Sequence, residues 1–316
     1  MINVFCIGEI LIDFIAEKQG NELTSANIFT KKAGGAPANV AAAISKLGGQ
    51  SNLVGAIGKD PFGIFLLNAL KENYVSTDFV QKVDAFTTLA FVSLTENGER
   101  DFVFNRGADA YLKFDENLVS TFKNSIFHFG SATSFLGGDL ENTYSLYLNS
   151  VYKNNAFICF DPNFREDLWK NNEKIFIKKC IPFLEKADFA KFSIDEAQLI
   201  SGEKEIEKAC KTLHNMGAII IAITLGDKGT FLSTKVDQKI IESVKVNQID
   251  TTGAGDAFVG CFLKQTSELE NPKKEMEDFS LLTKMIKKAN IAGAITTTNY
   301  GAIASLPNQV QIESYE

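Results

Sequence analysis

The sequence predicts an α/β protein in which helices cover a central, mainly parallel sheet. Three observations support this fold class: short continuous apolar runs, glycine-bounded helical segments between them, and 316 residues of 45% hydrophobic content. Runs such as Val4–Ile7 lack alternating polar positions, which is typical of strands buried on both faces of a parallel sheet. Because the length suits one large core, we treat residues 1–316 as a single domain.

Predicted strands and helices alternate along most of the chain. A strand at 4–7 is followed by a small-residue helix that begins near Pro37 and closes at Gly48, then by a strand at 51–58 and a helix opening at Asp60. Later predicted strands lie at 126–129, 157–161, 189–192 and 219–224, with a β-rich pair at 229–233 and 239–246 and a helix over about 280–297. This alternation predicts a sheet covered by helices.

Two segments depart from the alternation. Residues 10–33 are polar and irregular with short β-type alternation, and residues 86–110 place Asn97 and Gly98 between two β-rich runs. Asn-Gly in that position predicts a hairpin. We expect the two segments to form a small β-sheet lid; the alternative is a pair of ordinary excursions at a sheet edge.

Composition and charge exclude several classes of function. A net charge of −7 with scattered basic residues argues against a nucleic-acid or anionic membrane surface. The N-terminus lacks a signal-type apolar segment and no stretch approaches transmembrane length, so we expect a cytoplasmic protein. Five cysteines without a C-x-x-C pair predict buried thiols. Only two histidines, His128 and His214, are available for a metal site or a Ser-His-Asp triad.

The stretch from Asp250 to Asp256 carries the strongest chemical signal. It reads Asp-Thr-Thr-Gly-Ala-Gly-Asp and runs into apolar residues that predict a buried helix. Residues 253–255 then lie at the amino end of that helix, where free backbone N–H groups and the helix dipole favour phosphate oxygens. Asp256 could accept a proton from a hydroxyl that attacks phosphorus. The alternative is that Asp256 only stabilises the first helical turn.

This stretch resembles the signature of the ribokinase/fructokinase (PfkB-type) family of sugar kinases, D-T-T-G-A-G-D, residue for residue. Gly34-Gly35 with Asn39, and Asp161-Pro162-Asn163-Phe164-Arg165, also resemble family segments, so the similarity covers nearly the whole chain. P-loop, G-x-G-x-x-G and H-R-D patterns do not occur in the sequence. The resemblance implies a ribokinase-like three-layer αβα fold and ATP-dependent phosphorylation of a sugar hydroxyl.

The resemblance also implies which residues bind the sugar and catalyse the transfer. Asp256 would be the base, beside an anion hole of Gly253, Ala254 and Gly255. The implied sugar-binding residues are Asp13, Gly34, Gly35, Asn39, Phe104, Arg106, Arg165 and Asp256. A carboxylate and an amide can hold vicinal hydroxyls, and glycine lets backbone groups reach the ring. By themselves, Asp13 could be a turn residue and Arg165 a solvated arginine, and the stretch after Arg106 is shorter than in many fructokinases.

On the nucleotide side the resemblance implies further residues. The implied nucleotide-binding residues are Ser193, Thr224, Gly226, Gly229, Gly255 and Asn290. Glu196 is expected to organise Mg²⁺ indirectly, while Ser193 and Glu196 also match a helix capping box, and we expect both roles. Taken alone, Asn290 reads as a polar surface residue. The implied monovalent-cation site consists of Asp250, Thr252, Thr296, Asn299, Gly301 and Ser305. Such oxygen ligands suit a hard cation, which makes activation by K⁺ a hypothesis.

The segments around Asp13, Gly34 and Phe104 look most like those of fructokinases. We therefore expect the 6-hydroxyl of D-fructose to be the acceptor, with 2-keto-3-deoxygluconate and ribose as alternatives. A non-catalytic sugar or nucleotide sensor on the same fold is a reading from another class. A dinucleotide-dependent oxidoreductase is disfavoured by the missing Rossmann fingerprint. Because the lid would expose strand edges, a homodimer with packed lids is expected.

Overall fold

A computed structural model describes residues 1–17, 20, 22–94 and 100–315. The strands are β1 Val4–Ile7, β2 Leu11–Ala16, β3 Phe29–Gly34, β4 Ser51–Gly58, β5 Val80–Val83, β6 Leu89–Leu94, β7 Arg100–Asn105, β8 Ile126–Gly130, β9 Phe157–Asp161, β10 Phe189–Ser193, β11 Ile220–Thr224, β12 Thr230–Ser233 and β13 Gln238–Ile241. The helices are α1 Ala36–Lys46, α2 Pro61–Glu72, α3 Glu116–Val119, α4 Gly138–Lys153, α5 Glu166–Trp169, α6 Glu173–Leu184, α7 Ile194–Ser201, α8 Ile206–Asn215, α9 Ala254–Thr266, α10 Pro272–Glu275, α11 Phe279–Thr296, α12 Ala302–Ser305 and α13 Gln309–Glu313.

The larger sheet is mainly parallel. Within the described residues its strands follow the order β13-β12-β11-β10-β9-β8-β1-β4-β5. The strands from β11 through β5 in that order pair in parallel, and β12 and β13 extend the sheet antiparallel at one end. The parallel strands therefore end at the same edge of the sheet, where α/β proteins place their ligands.

The sheet is covered on both faces. Along β1, the side chains of Val4 and Cys6 belong to one apolar core and those of Phe5 and Ile7 to another. This division follows from the two-residue period of a strand, which turns successive side chains to opposite faces. The first core includes residues of α1, α9 and α11, and the second includes residues of α4, α6 and α8. The predicted three-layer αβα fold is confirmed.

A separate small sheet contains β3, β2, β6 and β7 in that order. β2 pairs antiparallel with β3 and parallel with β6, and β6 pairs antiparallel with β7. Residues 10–33 and 86–110 thus join in one sheet, as the sequence predicts, instead of forming separate excursions. The predicted Asn97-Gly98 turn falls in residues 95–99, which lie outside the described part of the chain. That this sheet acts as a lid stays a prediction.

Most predicted boundaries are close to the observed ones. The main difference is the second strand of the late β-rich pair, which ends at Ile241 instead of continuing to residue 246. All five cysteines are buried free thiols and His128 is fully buried on β8, both as predicted. Among the described residues, no helix combines the length and apolar character needed to cross a membrane.

Close approach of α1 to α9 sets the position of the site. Gly260, one turn beyond Asp256, packs directly against α1, where an added Cβ would collide with Ala43 and lie 3.1 Å from the carbonyl oxygen of Val40. Any larger residue at 260 would push the helices apart, because packed cores accommodate added volume poorly. The absence of a side chain on Gly260 therefore brings the first turns of α1 and α9 together.

Candidate active site

The amino end of α9 is built as the sequence predicts. Gly253 is the N-cap, with a left-handed φ of 81°, and the helix begins at Ala254. A Cβ on Gly253 would lie 2.6 Å from the Cβ of Ala302, so both its conformation and its surroundings require glycine. The N–H groups of Gly255 and Asp256 lie in the first turn, where no intrahelical carbonyl can accept from them. This end of the helix can therefore bind an anion.

Asp256 lies in that first turn and is held by α1. The side-chain amide of Asn39 donates a hydrogen bond from Nδ2 to Oδ2 of Asp256 at 2.8 Å. Asn39 is buried, and its Oδ1 is a buried acceptor without a hydrogen-bond partner among the described residues. An unpaired buried acceptor is costly unless something binds it. A ligand hydroxyl next to Asp256 would satisfy it.

Charged groups surround this pair. Burial raises the pKa of Asp256 to about 6, and the negative charge of Asp161 acts in the same direction. The hydrogen bond from Asn39 and the positive charges of Arg165 and Lys191 lower this pKa and offset part of the increase. A carboxylate of raised pKa at a binding site is suited to accept a proton near neutral pH. Arg165 is exposed at the site, and its Nη1 donates to the carbonyl oxygen of Phe164 at 3.3 Å.

The predicted sugar-side glycines pack closely against Asp13 and against the backbone of Glu9. Gly34 ends β3 beside the carboxylate of Asp13 on β2, so closely that a Cβ at 34 would overlap Oδ2 of Asp13. Gly35 is the N-cap of α1, and a Cβ there would come within 2.6 Å of the carbonyl oxygen of Glu9. The structure thus gathers Asp13, Gly34, Gly35 and Asn39 around the start of α1.

Arg106, which is predicted to contact the sugar, makes three hydrogen bonds within the protein. Its Nε donates to Asp109 at 3.2 Å, and its Nη1 and Nη2 donate to the carbonyl oxygens of Leu136 and Thr133 at 2.7 and 3.2 Å. These contacts anchor the end of the small sheet to the segment after β8. Phe104 is half-buried and stacks on Phe102. Sugar contacts from Arg106 and Phe104 stay predictions.

Ser193 and Glu196 form the predicted capping box. The Ser193 hydroxyl accepts from the N–H of Glu196, and Oε2 of Glu196 accepts from the N–H of Ser193 at 2.7 Å. Oε1 of Glu196 accepts a third hydrogen bond, from the N–H of Phe164 at 2.8 Å. Since both carboxylate oxygens already accept backbone donors, the geometry fits an indirect part in metal binding better than direct coordination. Nowhere in the described residues do three or more His, Cys, Asp or Glu residues form a group that could hold a metal ion.

Three of the predicted nucleotide-side residues, Thr224, Gly226 and Gly229, lie at or just after the end of β11. Thr224 ends that strand, and a single 3₁₀ turn runs from Gly226 to Lys228 before Gly229. Asn290 is buried on α11, contrary to the simple reading of a surface residue. Its Oδ1 accepts from the hydroxyl of Thr230 at 2.6 Å, and its Nδ2 donates to the carbonyl oxygen of Ile241 at 2.8 Å. Asn290 therefore ties α11 to β12 and β13, and a contact with nucleotide stays a prediction.

The predicted cation-site segments do come together. Oδ1 of Asp250 accepts from the N–H and the hydroxyl of Thr252, and its Oδ2 accepts from the N–H of Gly301 at 2.8 Å. Ser305 is buried, and its hydroxyl is without a hydrogen-bond partner among the described residues. Thr296 is fully buried, whereas Asn299 is exposed, so a contribution from Asn299 would come from its backbone. Carboxylate, hydroxyl and backbone oxygens are the kind of ligand that suits a hard monovalent cation.

The sequence interpretation missed two charged residues near the site, Lys191 and Glu9. Lys191 on β10 is buried and lies 3.3 Å from Asp161 at the end of β9. Glu9, just after β1, is almost completely buried; burial raises its pKa to about 8, and it accepts weakly from the N–H of Ala36 at 3.4 Å. The available signal was a charged residue inside or next to an apolar strand, because such residues are rarely buried without a purpose.

This site, a helix N-terminus open to an anion beside a carboxylate of raised pKa, suits a phosphoryl-transferring enzyme. Comparison with known proteins identifies the family. The model of the pfkB family carbohydrate kinases matches residues 1–309. Fructokinase-1 of Zea mays is 38% identical over 318 residues, covering 98% of this chain and 96% of the maize protein. The chain therefore belongs to the pfkB family and is a carbohydrate kinase.

Solved structures agree with this assignment. The fructokinase of Xylella fastidiosa with bound ATP has a TM-score of 0.87 and 29% identity, covering 99% of this chain and 97% of that one. The fructokinase of Vibrio cholerae O395 with fructose, ADP and a calcium ion has a TM-score of 0.86 and 30% identity, covering 100% of this chain and 99% of that one. A double mutant of the latter was solved with fructose, ADP and a potassium ion, with a TM-score of 0.87 and 30% identity over 100% of this chain and 98% of that one.

Proposed function

We propose that this kinase transfers the γ-phosphoryl group of MgATP to the 6-hydroxyl of D-fructose and forms fructose 6-phosphate. The observation that carries the proposal is the hydrogen bond of Asn39 to Asp256 at the open end of α9. Similarity over nearly the whole chain to fructokinases, one of them solved with ATP and another with fructose and ADP, supports the choice of substrates.

In the proposed mechanism, Asp256 accepts the proton of the sugar hydroxyl as that oxygen attacks the γ-phosphorus. The new bond joins the sugar oxygen to phosphorus, and the bond between phosphorus and the bridging oxygen of ADP breaks. The N–H groups of Gly255 and Asp256 stabilise the charge on the transferred group. The magnesium ion that accompanies ATP neutralises part of the phosphate charge when bound. Glu196 acts on that side indirectly, by holding the backbone at Phe164 and Ser193.

Sugar recognition would use the polar atoms gathered around the start of α1. Oδ1 of Asn39 accepts no hydrogen bond from the described residues and could accept one from a sugar hydroxyl. Nδ2 of the same amide donates to Asp256 and holds its carboxylate in place. The carboxylate of Asp13 beside Gly34 supplies further acceptors. A single amide that contacts both sugar and base would place the reacting hydroxyl against Asp256 before transfer, which is how positioning accelerates a reaction.

The substrate proposal predicts ADP release with MgATP and fructose. The panel is fructose, ribose, 2-keto-3-deoxygluconate, glucose and adenosine, each with K⁺ present. We expect the highest kcat/KM with fructose. Preferential turnover of ribose or 2-keto-3-deoxygluconate would replace the substrate but keep the reaction. Saturable sugar binding without turnover of any of them would favour the sensor alternative.

Replacing the proposed base should remove most turnover. In Asp256→Asn the shape is kept and the proton acceptor is lost, so kcat should fall by roughly 10²- to 10⁴-fold while fructose still binds in calorimetry. Asp139→Asn is the matched control, because Asp139 is an exposed acidic residue in the first turn of α4. If Asp256 served only its helix, both variants would keep near-normal kcat.

The raised pKa of Asp256 predicts an acid limb in the rate profile. The base is active when deprotonated, so kcat/KM for fructose should fall as pH drops through about 6 and stay level above it. In Asn39→Ala the limb should move to higher pH, because the hydrogen bond from Asn39 lowers the pKa of Asp256. The residual rate of Asp256→Asn should lack this limb. An unchanged limb in that variant would assign the titration to another group, such as the nucleotide.

We also propose that a potassium ion binds at Asp250, Thr252 and Ser305, with backbone oxygens from 296–301. Two observations support this proposal. The buried hydroxyl of Ser305 has no hydrogen-bond partner in the described part of the chain, and Asp250 accepts from the N–H groups of both Thr252 and Gly301. The ion would lie behind the N-cap of α9, since Gly253 contacts Ala302 of α12. Its expected effect is to fix the loop that carries the anion hole.

Loss of the Ser305 hydroxyl should weaken the response to potassium. We expect Ser305→Ala to need more K⁺ for half-maximal kcat than the wild type, and to gain less in Tm when K⁺ replaces choline. Ser314→Ala is the control, because Ser314 is exposed and bonds only locally to Gln311. Equal K⁺ dependence in all three proteins would refute the site.

A homodimer through the small sheet stays a prediction. Large apolar side chains on or beside this sheet are exposed, with Phe86 at 82%, Ile28 at 64% and Val103 at 53%. A second copy that covered them would remove apolar surface from water.

A further inference from the structure

Lys191 is a buried lysine in the middle of an apolar strand. It lies on β10 between Ala190 and Phe192, which are fully buried, and is itself only 8% exposed. Lysine is almost never buried unless it is paired, because removing an ammonium group from water is costly. Neither the predicted mechanism nor the capping box at the end of β10 accounts for it.

The ammonium group of Lys191 faces the amino end of α9. A Cβ built on Gly255 would lie 3.1 Å from Nζ of Lys191, so the ammonium group lies next to Gly255 in the proposed anion hole. The strands bring Asp161 alongside, with its two carboxylate oxygens 3.4 and 3.3 Å from Nζ. Lys191 therefore lies where two features meet: a helix N-terminus and a buried carboxylate.

Its surroundings keep Lys191 charged. Burial by itself lowers the pKa of the ammonium group, but the charges of Asp161, Glu196 and Asp256 outweigh burial and raise it. The nearby imidazole of His128 is driven the other way, because burial and the charge of Lys191 lower its pKa to about 3. Of these two residues, Lys191 on β10 therefore carries the positive charge and His128 on β8 is neutral.

The contact with Asp161 is looser than an optimal ion pair. Charge-assisted N–H···O bonds are commonly about 2.7–2.9 Å long, and the distance from Lys179 to Glu141 is 2.7 Å. Lys191 instead sits 3.3 Å from the nearer oxygen of Asp161. An ammonium group has three N–H donors. The geometry leaves donors for a further anionic partner on the side of Gly255.

We propose that Lys191 is a catalytic residue that binds the transferred phosphoryl group, together with the N–H groups at the start of α9. Asp161 is its positioning residue, holding the ammonium group in the sheet and balancing its charge before nucleotide binds. Lys191 keeps its proton throughout, while the hydroxyl proton passes to Asp256. This inference rests on the proposed kinase reaction and deepens it by adding a cationic donor to the anion hole.

The competing explanation is that Lys191 only neutralises Asp161. Two variants separate the explanations. Lys191→Met removes the donor, and Lys191→Met with Asp161→Asn removes the donor and also the carboxylate it would leave unpaired. Lys273→Met is the matched control, because Lys273 pairs at 3.1 Å with another buried carboxylate, Asp188, which lies just before β10 at its opposite end.

We expect kcat of Lys191→Met to fall about 100- to 1,000-fold, the loss that follows removal of one donor from an oxyanion-type site. The double variant should unfold at nearly the wild-type temperature and yet stay as slow as Lys191→Met. Lys273→Met should lower Tm and leave kcat close to wild type. Recovery of wild-type kcat in the double variant would overturn the proposal, because a purely neutralising lysine is dispensable once its carboxylate is gone.

A binding measurement keeps this test separate from the substrate proposal. By calorimetry, Lys191→Met and the double variant should lose more affinity for ATP than for ADP, since the lysine contacts the terminal phosphoryl group. If the wild type phosphorylated no sugar, the proposed function would fail while this comparison still decided the role of Lys191. Equal losses for ATP and ADP would overturn the assignment to the terminal group.

Discussion

The hydrogen bond from Asn39 to Asp256 is the contact on which the site depends. It joins the first turns of α1 and α9, two helices that are far apart in sequence and cover the same face of the sheet. The bond requires close helices, and Gly260 permits that approach against Ala43. The groups on α1 that are proposed to bind the sugar and the end of α9 that is proposed to bind the phosphoryl group are consequently held close to each other.

Charge balance is the second constraint. Asp161, Glu196 and Asp256 bring negative charge to a site proposed to bind a phosphate, which by itself would repel that ligand. Lys191 and Arg165 offset them, and the amino end of α9 adds partial positive charge. These groups lie on the sheet and at the ends of its helices. In the proposed reaction, charges and dipoles fixed in this way would stabilise the charge that develops in the transition state.

The small sheet is anchored to this unit through polar contacts. Asp109 accepts from the hydroxyl of Thr88 and from Arg106, and Arg106 in turn donates to carbonyl groups after β8. A guanidinium group used in this way fixes the base of the sheet at the two ends of the segment 86–110. Family similarity predicts that Arg106 contacts the substrate, and the structure shows that Arg106 holds parts of the protein together. The sequence alone could not distinguish these two roles.

The sequence by itself determined the layers, nearly all strand positions, the capping box and the glycine-bounded start of the helix at 253–255, because apolar periodicity, glycines and caps act over a few residues. Only the tertiary structure decided which distant groups meet. The buried amide of Asn290 joins α11 to β12, and Lys191 of β10 lies next to Gly255 of α9. Packing of separate elements also leaves the oxygens of Asn39 and Ser305 buried without a partner among the described residues. Burial and pKa depend on such neighbours, so a lysine within an apolar strand was visible in the sequence but its purpose was not.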